Sequence, residues 1–416
     1  MNAVNKIKII LVFVLLSIIT SGIGVFILQS VNFYHTSTIE AGSLEGYQNF
    51  TAIIVSFFLF TILLKFGYRK SIVICSLVLS GYMFLIPFWD SIWAIKIFLI
   101  LVGISMVLIK VCAYSSVSLV TNNEKEHASF INLMEAIYTL GTLVGLWLFS
   151  YFLNVDPASW MRVFWIFSGF ALLVALAWWL TPFKDAEVDT TEHVPLKTQM
   201  KMFIPIIMTV STIVFIFLLF SSEMLEQGVG SWLANFFHSE FKMTLSFSVK
   251  MASLLTMSML AGRIFGAIVL RYVTWEKFFM IMFIAGFILM AFALTTLPHV
   301  TDTIESWGNV PWNAFAIGCI GFFLGPIYPT ICSAMLSNNP EKFQAIIMSF
   351  IMVFTAFFDS VSSKFLGVLL DFTSNGTAFM VSVLPPFIIF MVLIIPFYKM
   401  IHKHKKEVDQ NVEPSV

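Results

Sequence analysis

Long apolar runs separated by short polar breaks fill this chain from residue 9 to residue 400. A run of about eighteen or more residues with few charges reads as a helix that crosses a bilayer. The pattern predicts six such helices over 9–31, 48–65, 72–89, 93–120, 128–153 and 160–182. A polar stretch over 183–201 comes next, and then six more runs over 202–237, 245–271, 277–297, 310–336, 343–369 and 376–400. The seventh run contains Gly228 and Gly230, which predict a break inside it. The run behind Lys6 and Lys8 is longer than a signal-peptide core, so it is expected to stay as the first span. The tail over 401–416, basic and then acidic, is expected to be solvated and irregular.

The two sets of six echo each other. Between the fourth and fifth runs stands Asn122-Asn123-Glu124-Lys125, and between the tenth and eleventh stands Asn338-Asn339-Pro340-Glu341-Lys342. A repeat of about half the chain is the mark of a transporter built from two similar halves. The expected division is a six-helix half over 1–182, a cytoplasmic linker over 183–201, a second six-helix half over 202–400, and a cytoplasmic tail over 401–416. The fold class is therefore an all-α membrane protein of twelve helices.

Composition agrees with that reading. Of the 416 residues, 59% are hydrophobic and 11% charged, against about 25% charged in an ordinary soluble domain. The net charge is +0, which gives no reason to expect nucleic acid as a partner. The expected partners are a small-molecule substrate, a proton or other coupling ion, and the lipid bilayer, for a chain acting as a monomer. No nucleotide-cradling glycine loop, nucleophile elbow or metal-spaced His/Cys/carboxylate set occurs, so no cofactor or metal and no enzyme activity is expected. With both termini inside, sixteen lysines and arginines fall in inner loops against Lys96, Arg162, Lys242 and Lys250 outside, which fits the positive-inside rule.

The charges inside the runs carry the chemistry, because a charge at that depth is costly unless it faces a partner or a wet cavity. Lys110 and Glu135 lie in the fourth and fifth runs, close enough in depth for a salt bridge; they either pin two helices or bind solute and proton. Glu223 and Glu226 sit three apart in the seventh run, on one face of an ideal helix. Arg263 is expected to be a structural or gating charge, with Asp359 of the eleventh run as the carboxylate that neutralises it. Lys364 lies nearer the outer end and can snorkel to water. Tyr138, Trp232 and Tyr328 are candidates to stack on a ring of the solute, although aromatic residues at helix ends more often anchor the interface. The proton-coupling candidates are Glu226, Glu135, Glu223 and Asp359.

The layout resembles the major facilitator superfamily, and four segments are similar to its fucose/hexose:proton symporter branch. These are Glu226-Gln-Gly-Val-Gly-Ser-Trp-Leu233, Gly262-Arg-Ile-Phe-Gly266, Gly325-Pro-Ile-Tyr-Pro-Thr330 and Gly367-Val-Leu-Leu-Asp371. Lys65-Phe-Gly-Tyr-Arg-Lys70 looks like the end of the superfamily's glycine–basic loop without its aspartate. The resemblance implies a proton-coupled sugar symporter of the cell (inner) membrane. It adds Gln29, Asn32, Asn132 and Gln227 to the solute-binding candidates and marks Glu226 for the proton. The chain departs from the branch in its first run, which offers Gln29 and Asn32 where an acid is expected, and in having Lys110 and Glu135 where the branch has glutamate and glutamine. Those departures leave open an exporter or antiporter of a charged or zwitterionic compound. A non-transporting receptor or assembly protein is the reading from another class.

Overall fold

The structure is a computed structural model. It describes residues 2–412 except 90, 118–119, 121–123, 182–209, 271, 329 and 332–340. The described side chains further exclude those of 2–3, 57–66, 115, 124–129, 131–132, 135–136, 267, 341–350 and 401–412. The linker over 183–201 therefore lies outside the described residues.

The first half holds α1 (Asn2–Thr20), α2 (Ile23–Asn32), the short α3 (Thr38–Gly42), α4 (Leu44–Leu85), α5 (Ile92–Val117), α6 (Glu124–Val155) and α7 (Val163–Leu180). The second holds α8 (Val210–Glu223), a π turn at Met224–Gly228, α9 (Val229–Glu240), α10 (Leu245–Val269), α11 (Trp275–Thr295), α12 (Trp312–Gly318), α13 (Gly321–Leu324), α14 (Glu341–Phe372) and α15 (Asn375–Val412). Ten helices among the described residues are long and apolar enough to cross a membrane, with Trp312–Leu324 a shorter apolar one. The result is the expected all-α membrane fold of two six-helix halves, with no strand among the described residues.

Local sequence explains the interruptions. Ser17, Thr20 and Ser21 turn their hydroxyls back onto the carbonyls of Val14, Leu16 and Ile18, which weakens and bends a helix. The predicted first span accordingly divides at Ser21–Gly22 into α1 and α2. The second and third spans merge in α4 across a kink at Gly67, whose φ of 70° is a left-handed value that favours glycine. Two residues on, Arg69 donates from Nε to the Trp178 carbonyl at 3.0 Å and from Nη2 to Trp179 at 2.5 Å, capping the end of α7. In the tenth span, Pro326 has no N–H to give the carbonyl of Phe322 four residues earlier. Gly262 of α10 packs on that carbonyl, and Arg263 Nε donates to the Gly325 carbonyl at 3.1 Å.

Two boundaries differ from the sequence reading. The second span starts at Leu44, not 48, because Ser43 and the polar residues Glu45, Gln48 and Asn49 already belong to a buried helical turn. The tail is helical to Val412, since nothing in Lys399–Val412 breaks α15.

The described contacts between the halves gather at the face opposite the termini. Asn32 Nδ2 donates to Asn235 Oδ1 at 3.3 Å. Ser150 Oγ donates to the Ser246 carbonyl at 2.8 Å, and Trp147 Nε1 to Ser253 Oγ at 3.1 Å. Thr38 Oγ1 donates to the Gly367 carbonyl at 2.7 Å and also contacts Asp371. Gly42 lies so near the Ser363 carbonyl that a Cβ there would sit 2.8 Å from it. Apart from Asp371 and Trp147, these seam contacts are made by small or neutral polar groups, which let backbones approach closely within a membrane.

Candidate functional site

Span seven is broken where its carboxylates stand. On an unbroken α-helix Glu223 and Glu226 would share a face, but the π turn begins immediately after Glu223. A π turn inserts a residue and re-aims the side chains beyond it, and such turns are frequent at functional sites. Glu223, 4% exposed, faces Asp359 of α14 at close range. Glu226 instead pairs with Arg263 of α10, Oε1 to Nη2 at 3.6 Å. The expected Arg263–Asp359 pair is thus replaced by Arg263–Glu226, because the Gly325 carbonyl and the re-aimed Glu226 hold the guanidinium on the α10 side.

A fourth carboxylate joins them from the first half. Glu45, at the start of α4, is 3% exposed. Its Oε2 accepts from Ser231 Oγ at 2.9 Å and its Oε1 from Gln227 Nε2 at 3.3 Å. Asp359 faces it within electrostatic range. The sequence reading passed over Glu45 because it stands just ahead of the predicted second span. The signal was the polar turn Glu45-Gly-Tyr-Gln-Asn49 leading into the apolar run. Around this group the buried polar atoms Asp359 Oδ1, Asn49 Nδ2, Thr355 Oγ1 and Ser362 Oγ make no hydrogen bond with the protein.

The first half supplies a different surface. Lys110 of α5 is half-buried, its Nζ 6.0 Å from the Tyr114 ring centre and 5.9 Å from that of Tyr138. Tyr138 also hydrogen-bonds Thr20 at 2.8 Å. Both tyrosines pack edge-on against Phe13. The backbones of Asn132 and Glu135 lie in α6, but their side chains are outside the described ones, so the expected Lys110–Glu135 pair is too.

Other candidates sit elsewhere. Gln29 is fully buried, donating to the Pro157 carbonyl at 3.4 Å, and so is wedged under the far-face turn instead of lining an open surface. Trp232 is also fully buried; its Nε1 donates to the Ser363 carbonyl at 2.9 Å, and its ring lies against Gly42 and Gly367. In this conformation it is a seam residue with no face open to stack on a solute. Asn32 belongs to the same seam. Gln227 is committed to Glu45, Tyr328 is half-buried beyond Gly325, and Lys364 is exposed near the far end of α14.

Two halves with a broken helix and buried charges at their junction are the architecture of a membrane transporter. The Major Facilitator Superfamily profile matches residues 9–363, and the chain belongs to that family. No curated protein matches the chain at a significant level. Solved structures share the fold. The nucleoside transporter NupG aligns with a TM-score of 0.69 at 15% identity, over 95% of this chain and 98% of its own. The E. coli fucose:proton symporter FucP aligns at 0.62 and 15%, over 95% and 98%. A D-xylose-proton symporter aligns at 0.71 and 11%, over 96% of each.

Proposed function

We propose that this protein is a proton-coupled symporter that imports a small polar solute, a sugar or related polyol, across the cell (inner) membrane with both termini in the cytoplasm. The observation that carries the reading is the group of carboxylates at the break in span seven, where Glu223 and Glu226 meet Asp359 of α14 and Arg263 pairs with Glu226. Like charges held together in a buried site cannot all stay ionised, so such a group favours taking up a proton. A buried proton site placed beside a helix break is suited to loading and releasing it. Glu226 moves with the same break and exchanges its partner Arg263 as the helix re-forms. The solute binds on the first-half wall of Lys110, Tyr114 and Tyr138, with Glu135 and Asn132 on the adjoining turns of α6. The sixteen-to-four bias of cations supports the orientation. The likeness to sugar symporters supports the substrate class.

A second reading is favoured by one residue. Lys110 is a half-buried cation beside the rings of Tyr114 and Tyr138, and it is the side chain that would hold an acidic solute. The test is uptake into liposomes that carry an internal pH dye, with the purified protein and a panel of sugars, sugar acids, amino acids and small carboxylates. Solute-triggered acidification that Glu226→Gln abolishes supports the symporter. A response to acids alone replaces the sugar reading, and no response to any solute overturns the transport reading.

A further inference from the structure

Glu45 is the one charged side chain of the first half that the described hydrogen bonds tie, deep in the protein, to side chains of the second. Its surroundings are short of positive charge. Asp359 faces it from α14, and Glu223 and Glu226 come from span seven. The nearby described cations are already engaged: Arg263 with Glu226 and with a backbone carbonyl, and Lys96 with Glu40 at 2.5 Å. Lys364 of α14 is exposed. The pocket is also polar beyond its carboxylates. Asn49, one turn along α4 from Glu45, is 8% exposed with its Nδ2 unpartnered, and Ser362 on α14 is fully buried with an unpartnered hydroxyl.

The closed far face brings these groups together. Separating the halves at that face pulls Glu45, with α3 and α4, away from Ser231, Gln227 and Asp359. When the halves meet, carboxylates from both sides enter one buried site, where like charges cannot all remain ionised. We propose that Glu45 is a second proton-carrying group, shared between the halves, and that the far face closes only when the Glu45–Asp359 site holds a proton. The proposal rests on the symporter reading and adds to it the step at which the proton acts. Solute enters with the far face open, the proton neutralises the site, and the seam of Gly42, Gly367, Thr38 and Trp232 then seals. Release on the other side occurs when the proton leaves through the face that carries the termini. The gating and the uptake readings fail separately, because gating is measured without solute.

The experiment places spin labels on the far face of each half, at Val155→Cys and Phe372→Cys, in full-length protein depleted of its other cysteines. Both positions are exposed. Inter-label distances are recorded from acid to alkaline pH in lipid. The unaltered site is expected to give a short distance in acid and a growing long-distance population as pH rises. Glu45→Gln, which removes the charge and can still accept from Gln227 while donating to Ser231 Oγ, is expected to stay short at every pH. It should also lose at least tenfold of proton-driven accumulation. Glu45→Asp, which retains a carboxyl, is expected to keep the pH response, and Asp359→Asn to behave as Glu45→Gln does. A Glu45→Gln protein whose distances still shift with pH like the parent's, or a parent with no pH response, overturns the proposal.

Discussion

The two halves share one architecture and use its interruptions differently. In the first half the break at Ser21–Gly22 is filled with aromatic rings: Phe26 and Phe149 lie directly over Gly22 and make edge-on contact with each other at 5.6 Å. Trp160, Phe164 and Phe167 complete that cluster, all fully buried or nearly so. In the second half the break at Met224–Gly228 is lined by Glu223, Glu226, Arg263 and Asp359. Irregular backbone within a membrane must be buried in protein or line a cavity. The first half takes the former course and becomes a rigid body. The second takes the latter and holds most of the groups that change partner during transport.

The comparison predicts that the aromatic break answers to stability and the charged break to transport. Phe149→Ala removes a fully buried ring from the cluster and is expected to cost about 3–5 kcal/mol. Denaturation of the purified protein in detergent checks this; a loss under about 1 kcal/mol breaks the idea of a rigid first half. Arg263→Gln acts in the opposite sense. Its pair with Glu226 is 3.6 Å long and partly exposed, with the arginine side chain at 38%. Its stability cost is therefore expected at only about 1 kcal/mol, while proton-driven uptake falls at least tenfold with Glu226 left unpaired. Stability and uptake falling together would place Arg263 among the structural residues.

Most of the fold was legible because apolar run length and the spacing of Gly, Pro and charged loops depend only on local chemistry. The break in span seven was expected from Gly228 and Gly230, and the π turn lies there. The partners of the charges were not legible. Arg263 was assigned to Asp359, and the choice of Glu226 depends on a change of helical phase that no residue pattern announces. Glu45 was missed because a chain read for apolar runs places a leading carboxylate in water, whereas α3 and α4 fold it inward. Trp232 was offered as a stacking residue, and only three-dimensional contact with Gly42 and Gly367 makes it part of the seam.

That seam gives a smaller effect. Trp232→Phe keeps an aromatic ring against Gly42 and Gly367 and removes the hydrogen bond from Nε1 to the Ser363 carbonyl. The Ser363 carbonyl keeps its place in the ladder of α14, so the loss is that of one buried hydrogen bond, about 0.5–1.5 kcal/mol, and it falls on the closed far face in particular. The expected outcome is a larger open population in the spin-label distances at acid pH, with solute affinity in the open state unchanged. An affinity loss of tenfold with no change in distances would return Trp232 to the solute.

Gln29→Leu is expected to do least, and it tests the first half most sharply. The side chain is fully buried, its one described bond to the Pro157 carbonyl is 3.4 Å long, and its Oε1 has no partner. Replacing such a group by an apolar one of similar size is close to neutral, because the lost weak bond is offset by the removal of an unsatisfied oxygen. Stability is expected to change by less than about 1 kcal/mol, and the KM for the transported solute by less than about twofold, since the residue packs under the far-face turn and not on the Lys110 wall. Uptake kinetics across a solute concentration series decide it. A KM raised tenfold with stability intact would mean that Gln29 swings from beneath Pro157 to meet the solute when the far face opens, and the first half would then rearrange at its aromatic break after all.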